Sequence, residues 1–344
     1  MIAVATSTRA DWGLLLPLAD ELRSRDIPLR ILASNMHLMP GMGMTVNEIV
    51  EAGCDPVRLP TAGDSPDETF ANTASLYGRW FGEHSPEAVV ILGDRYEMLA
   101  VASAACMHSV PIIHIAGGTV SEGAFDNAIR NAISQLATLH LAETDLCAAR
   151  LRSMGIAADR ILTTGALGVW NAANVPLLTA DQLWESLGRR LPAKFFVGTL
   201  HAATLADVSP ERQMEEFLAA VGSFLDGHGD YGVILTYPNN DTDPAPQIAL
   251  LREFERRYTD RSILVPSLGM RRYLSAVSLS QGVVGNSSSG VVEVASLGVP
   301  TLDIGMRQQG RERAASVFHC GWSRQEILHG LAVITSVSYT HLRA

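Results

Sequence analysis

The sequence predicts an α/β protein of two Rossmann-like domains whose parallel sheets face a central cleft. Short β-rich apolar runs alternate with longer helix-period segments along most of the chain. Several of the strand runs are apolar throughout, as expected where helices cover both faces of a parallel sheet. The length of 344 residues fits two domains at the usual ~100–200 residues each.

The first domain is expected over residues 1–166. Its strands are read at Ile2–Thr6, Leu29–Ala33, Ala88–Leu92, Pro111–Ile115, Leu139–Ala142 and Arg160–Thr164. Between them the helical period runs through Leu14–Arg25, with Pro17 near the first turn, and through Tyr96–His108, Ala124–Ala137 and Asp145–Met154. After Gly165 the pattern loosens through Asn174, Val175 and Pro176, with a second proline at Pro192, and this reads as an interdomain connection. The second domain, 167–334, restarts the alternation. Its strands are Phe195–Gly198, Gly232–Tyr237, Ser262–Val265, Gly282–Gly285 and Pro300–Ile304, and its helices lie near Glu211–Leu225, Pro246–Tyr258, Met270–Ser280 and Val291–Leu297. Residues 335–344 stand apart as an atypical tail.

Composition narrows the function. Lys and Arg number 26 against 36 Asp and Glu, a formal charge of −10, which argues against nucleic acid or an anionic membrane as partner. A small anionic ligand stays open. The chain opens on the short apolar run Ile2–Ala5 and turns polar, and no apolar run reaches the ~18 residues of a membrane span. A cytoplasmic protein is expected. Cys54, Cys106, Cys147 and Cys320 form no CxxC pair, so free thiols are expected and no zinc or redox motif.

In open α/β sheets ligands bind beyond the carboxyl ends of the strands, so the loops after strands carry the functional reading. Gly285-Asn286-Ser287-Ser288-Ser289-Gly290 follows a strand and opens a helix containing Glu293. Its glycines, three hydroxyls and helix N-terminus suit a phosphate, and Glu293 suits ribose hydroxyls; a Ser-rich N-cap with a solvated Glu is the plainer alternative. Arg9, in the first strand-to-helix loop, either pairs with a phosphate or bonds Asp11 at the surface. Arg307, Arg311 and Arg313 crowd the loop after the last clear strand. Asp94 follows the apolar strand Ala88–Leu92. Glu122 and Asp126 enter the next helix, where i, i+4 spacing would put both carboxylates on one face. His201 ends the first strand of the second domain, and Asn239 follows the next; no histidine pair has metal-site spacing.

These loops, in their order and spacing, resemble the UDP-N-acetylglucosamine 2-epimerases, and within them the hydrolysing branch of sialic- and legionaminic-acid biosynthesis. The resemblance spans roughly residues 1–330 through TSTRADWG, MHLMPGMG, ILGDRYE, HIAGG with EGAFDNAIR, TLHAAT, TYPNNDTD, VPSLGMRRYL, GNSSSGVVE and GVPTLDIGMRQQGRER. GNSSSG favours the hydrolysing branch. What the resemblance implies is a GT-B-like fold binding a UDP-sugar, without metal or nicotinamide, in a homo-oligomer, dimer or tetramer. Arg9, His37, Asn239, Ser287, Ser288, Ser289, Gly290, Glu293 and Arg307 would bind substrate, and Asp94, Glu122, Asp126 and His201 would be catalytic. Relatives carry a glutamate where this chain has Thr119 or Ala116, with Glu122 the candidate substitute. The family also continues for tens of residues beyond this chain's non-matching end. A GT-B glycosyltransferase and a UDP-sugar-binding protein without catalysis are the competing readings.

Overall fold

The structure, a computed structural model, describes residues 1–122, 125–203, 206–239 and 243–336. It divides into two compact units: one of Met1–Thr119 with Phe125–Leu167, the other of Val120–Ala124 with the chain from Gly168 onward.

The first unit runs β1 (Ile2–Thr6), α1 (Arg9–Ser24), β2 (Leu29–Ser34), α2 (Val46–Glu51), β3 (Val57–Leu59), α3 (Pro66–His84), β4 (Ala88–Leu92), α4 (Tyr96–Met107), β5 (Ile112–Ile115), α5 (Asp126–Leu136), β6 (Leu139–Ala142), α6 (Asp145–Ser153) and β7 (Ile161–Thr163). Its strands form one parallel sheet in the order β3-β2-β1-β4-β5-β6-β7. Alternate residues of each strand feed opposite cores. Ala3, Ala5, Val89, Ile91 and Ile112 pack with Tyr77, Phe81 and Val101 on one face, while Val4, Ile31, Ala33, Val90 and Ile115 pack with Trp12, Leu15 and Ile49 on the other. Two buried faces explain the uniformly apolar strands.

The second unit continues with α7 (Leu167–Asn174), α8 (Ala180–Leu187), β8 (Lys194–Thr199), α9 (Pro210–Gly227), β9 (Tyr231–Thr236), α10 (Ala245–Arg257), β10 (Ser262–Val265), α11 (Gly269–Leu279), β11 (Gly282–Gly285), α12 (Ser288–Val292), β12 (Thr301–Ile304), β13 (Val317–Cys320) and α13 (Arg324–Ser336). The sheet order is β10-β9-β8-β11-β12-β13, again all parallel. Phe196, Val233, Leu235, Val284 and Leu302 face α9 and α13, and Phe195, Val197, Ile234, Ile263 and Val283 face α8 and α11. Among the described residues no helix is long and apolar enough to cross a membrane.

Several expectations need correction. The first helix begins at Arg9, and Pro17 lies in its interior. A capping box sets that start: the Asp11 N–H donates to Thr8 Oγ1 and the Thr8 N–H donates to the Asp11 carboxylate. The stretch read as interdomain connection folds as α7 and α8, the latter under its own Thr179–Gln182 capping box. The strand β3 and helix α3 were not anticipated, and nor were β13 and α13. Helix α5 begins at Asp126 with Phe125 at its N-cap, so Glu122 is not helical and the i, i+4 pairing with Asp126 does not form. The expected tail lies outside the described residues from 337 onward. So do Gly123 and Ala124 of EGAFDNAIR, Thr204 of TLHAAT, and Asn240, Asp241 and Thr242 of TYPNNDTD.

Candidate functional site

Each sheet reverses strand order once, between β1 and β4 in the first unit and between β8 and β11 in the second. A reversal leaves a crevice where neighbouring strand-end loops diverge, the usual ligand position in such sheets. The loops bearing Arg9 and Asp94 flank the first reversal. Those bearing His201 and GNSSSG flank the second.

In the first unit, the carboxylate of Asp11 accepts hydrogen bonds from the Ser7 and Thr8 N–H groups at 3.0 Å each and from the Ser7 hydroxyl at 3.1 Å. It shapes the loop that carries Arg9. Burial pulls the Arg9 guanidinium down to about 10, with the charge of Glu48 opposing, so it stays cationic at neutral pH. His37, expected among the substrate contacts, is held by hydrogen bonds within the first unit. Its ring is fully buried, with Nε2 at 2.9 Å from Thr6 Oγ1 and Nδ1 at 2.8 Å from Thr45 Oγ1. Burial pushes it down to about 4, against the charge of Asp11, and its two ring nitrogens tie the end of β1 to the start of α2.

Asp94 follows β4 through Gly93, whose φ of 77° suits glycine. The carboxylate of Asp94 pairs with Arg130, a guanidinium of α5 with no solvent exposure. Arg130 also donates to Thr119 O at 2.9 Å and Asn127 Oδ1 at 3.3 Å, tying the β4 and β5 loops to the helix that starts at Asp126. Beneath them His114 Nε2–H donates to Gly93 O at 2.8 Å, and its Nδ1 accepts from the Ser134 hydroxyl at 3.1 Å. Burial pushes His114 down to about 4, so this support is neutral. Thr119 turns its hydroxyl to Ala116 O at 3.1 Å.

In the second unit Asn286 is the centre of the strand-end loops. Its Oδ1 accepts from the His201 N–H at 2.7 Å and its Nδ2 donates to His201 O at 2.9 Å. Its own carbonyl accepts from Gln308 Nε2 at 2.8 Å and Arg307 at 3.5 Å. The Asn239 N–H donates to His201 Nδ1 at 3.1 Å, which leaves the ring proton of neutral His201 on Nε2. Ser287 and Ser288 are half-buried where β11 passes into α12. Ser289 donates to the Tyr273 hydroxyl at 2.6 Å; burial, then the charge of Glu293, raises that tyrosine above its ordinary value. Gly290 is buried, its carbonyl accepting from Thr301 Oγ1 at 2.7 Å, and a Cβ there would come within 2.8 Å of Thr301 Cγ2. Ser289 therefore ties α12 to α11, and Gly290 seats it on β12.

Glu293, at the end of α12, lays its carboxylate against Gly168, where any Cβ would overlap it. Of the three arginines after β12, Arg313 pairs with buried Asp303 at 3.2 Å and Arg311 reaches Ser121 Oγ at 3.4 Å. Glu122, exposed, belongs to this unit through its N–H bond to Gln309 O at 3.0 Å. Among the described residues no group of three or more His, Cys, Asp or Glu is arranged to hold a metal.

Sequence reasoning missed Arg130, Asn286, Tyr273 and Gly168. Each acts through a partner distant in the chain, and only the position of Asn286 inside the Ser-rich loop hinted at it.

The sequence profile of the family described as UDP-N-acetylglucosamine 2-epimerase matches residues 20–343. A Campylobacter jejuni protein named GDP/UDP-N,N'-diacetylbacillosamine 2-epimerase (hydrolyzing) is 30% identical over 322 residues, 92% of this chain and 83% of its own. The Escherichia coli polysialic acid biosynthesis protein P7 is 32% identical over 342 residues, 96% of this chain and 85% of its own. The S. aureus MnaA–UDP co-structure superposes with a TM-score of 0.80 at 18% identity, covering 99% of this chain and 90% of that one, a likeness that establishes the GT-B-like fold. With a profile match running through both units and about three residues in ten shared along more than nine tenths of the chain, this protein belongs to the UDP-N-acetylglucosamine 2-epimerase family.

Proposed function

We propose that the protein is a hydrolysing 2-epimerase. It converts a UDP-2-acetamido sugar, UDP-GlcNAc or UDP-2,4-diacetamido-trideoxyglucose, to UDP and the 2-epimeric manno-configured sugar. The observation that carries this reading is that Arg9 and Asp94 in one unit, and His201 and the Ser-rich loop in the other, stand at strand ends flanking the order reversal of each sheet. The name of the Campylobacter relative, a hydrolysing 2-epimerase of a nucleotide-linked diacetamido sugar, supports the same class. That of the E. coli relative supports a place in sialic-acid-type synthesis.

The C2 proton of a sugar is not acidic, so a carboxylate cannot remove it unaided. Departure of UDP develops positive charge at C1 and acidifies it. Arg9, Arg307 and the hydroxyls of Ser287 and Ser288 stabilise the leaving diphosphate, Glu293 accepts from the ribose hydroxyls, and His201 donates its Nε2 proton to a phosphate oxygen. Asn239 acts through the ring of His201. Asp94, fixed by Arg130, or Asp126 takes the C2 proton as general base, leaving a glycal. Water then adds at C1 while a proton returns to C2 from the opposite face, with Asp126 and Glu122 as its candidate donors.

Incubation with each of the two UDP-sugars, without any acceptor, tests the reading. UDP release together with a manno-configured product supports it; folded protein that yields neither sinks it. Thr119 in place of a family glutamate favours a second reading, a UDP-sugar-binding protein without turnover. Calorimetric binding without product would support that, and so would activity gained on Thr119→Glu.

A further inference from the structure

We propose that Asn286 is a positioning residue for His201, setting the ring's place and tautomer through the backbone. The inference rests on the reading of His201 as a hydrogen-bond donor to the leaving diphosphate, and adds to it a residue with a role of its own. Asn286 is 1% exposed and makes a reciprocal pair of bonds with both backbone groups of His201, its Oδ1 accepting at 2.7 Å and its Nδ2 donating at 2.9 Å. Its N–H donates to Thr199 O at 3.2 Å, extending the β8–β11 pairing past the end of the ladder. Gln308 donates to its carbonyl, so the loop carrying Arg307 is held to the same residue. One residue thereby joins three strand-end loops, its side chain holding His201 and its backbone meeting Thr199 and Gln308.

The consequence for the ring follows from the geometry. With the backbone of His201 pinned, Nδ1 meets the Asn239 N–H at 3.1 Å. An acceptor at Nδ1 cannot carry a proton, so the neutral ring presents Nε2–H. Without the clamp, His201 loses both its fixed backbone and the contact that selects this tautomer. The amide is needed in one orientation: an oxygen must meet the N–H and a nitrogen the carbonyl. Aspartate at 286 keeps the first bond and sets a second oxygen against the His201 carbonyl.

A double-mutant cycle in the full-length chain reads the coupling. His201→Ala, Asn286→Ala and the double variant are compared for kcat, KM and UDP affinity, with circular dichroism and melting as the folding check. Asn286→Ala is expected to lower kcat on the order of 10²-fold, the scale of a catalytic group displaced by about an ångström. In the His201→Ala background the same change should alter kcat by no more than about twofold. If alanine at 286 does not fold, Asn286→Asp is read by the same cycle. Equal losses in both backgrounds would overturn the proposal, since Asn286 would then act independently of His201. Unchanged turnover of His201→Ala alone would overturn the underlying reading of His201, and the two failures are distinguishable.

Discussion

The carboxylate of Asp94 pairs with the guanidinium of Arg130, which is withdrawn entirely from solvent while the Asp94 side chain keeps 20% of its exposure. A buried guanidinium left without its anion is costly: breaking such a pair typically destabilises by about 3–5 kcal/mol. Arg130→Gln removes the charge, so its cost should fall toward the lower end of that range. It should also depress kcat, because Asp94 loses the group that aims it, while UDP affinity stays near wild type. Urea unfolding beside steady-state kinetics checks both. A variant of normal stability and normal kcat would contradict the role given to this pair.

Asp94→Asn keeps the size of the side chain and removes its basicity. Turnover should fall while calorimetric UDP binding is retained, since the diphosphate- and ribose-binding groups proposed for the second unit are untouched. Unchanged turnover would move the general base to Asp126, where Asp126→Asn becomes the deciding variant.

The acid stability of the protein should depend on two buried histidines, His37 and His114. Burial pushes both His37 and His114 down to about 4 from an ordinary 6.5. Between those values the unfolded chain takes up protons that the folded chain refuses. Stability is therefore fully present above about pH 6.5 and is lost as pH falls toward 4. For a fully buried ring such as His114, a shift of this size corresponds to on the order of 3 kcal/mol. Urea midpoints measured from pH 7 to pH 4 should fall, and they should fall less in a His37→Asn, His114→Asn double variant, from a lower starting point. Because the ring of His37 is spent on Thr6 and Thr45, His37→Asn alone should lower stability and leave UDP affinity unchanged.

The fold was legible because both sheets are parallel and covered on two sides, which makes the central strands uniformly apolar runs. The short edge strands β3 and β13 bury too little to give that signal. Helix α3 was obscured because Thr69 and Thr73 lie on its buried face, breaking the apolar period. Pro17 misdirected the start of α1, although Thr8 and Asp11 already carried the capping signal. Arg9, Asp94, His201 and the Ser-rich loop could be read from their places after strands. Arg130, Asn286 and Gly168 could not, because what defines them is a contact with a residue far along the chain.

Gly168 supplies a further check on Glu293. A methyl group there would overlap the Glu293 carboxylate, so Gly168→Ala should displace it and reduce the preference for UDP over 2'-deoxy-UDP in calorimetric titration. Glu293→Gln should reduce the same preference. If Glu293→Gln does so and Gly168→Ala does not, the side chain relaxes without leaving its ligand.

The central claim is that the chain removes and replaces the proton at C2 while expelling UDP. Proton NMR of the reaction in deuterium oxide, with UDP-GlcNAc and UDP-2,4-diacetamido-trideoxyglucose supplied separately and no acceptor present, tests it most directly. Free UDP and a manno-configured sugar carrying deuterium at C2 are the expected products. Free UDP with a gluco-configured sugar that keeps its C2 proton, or consumption of the UDP-sugar only when an acceptor is added, would contradict it.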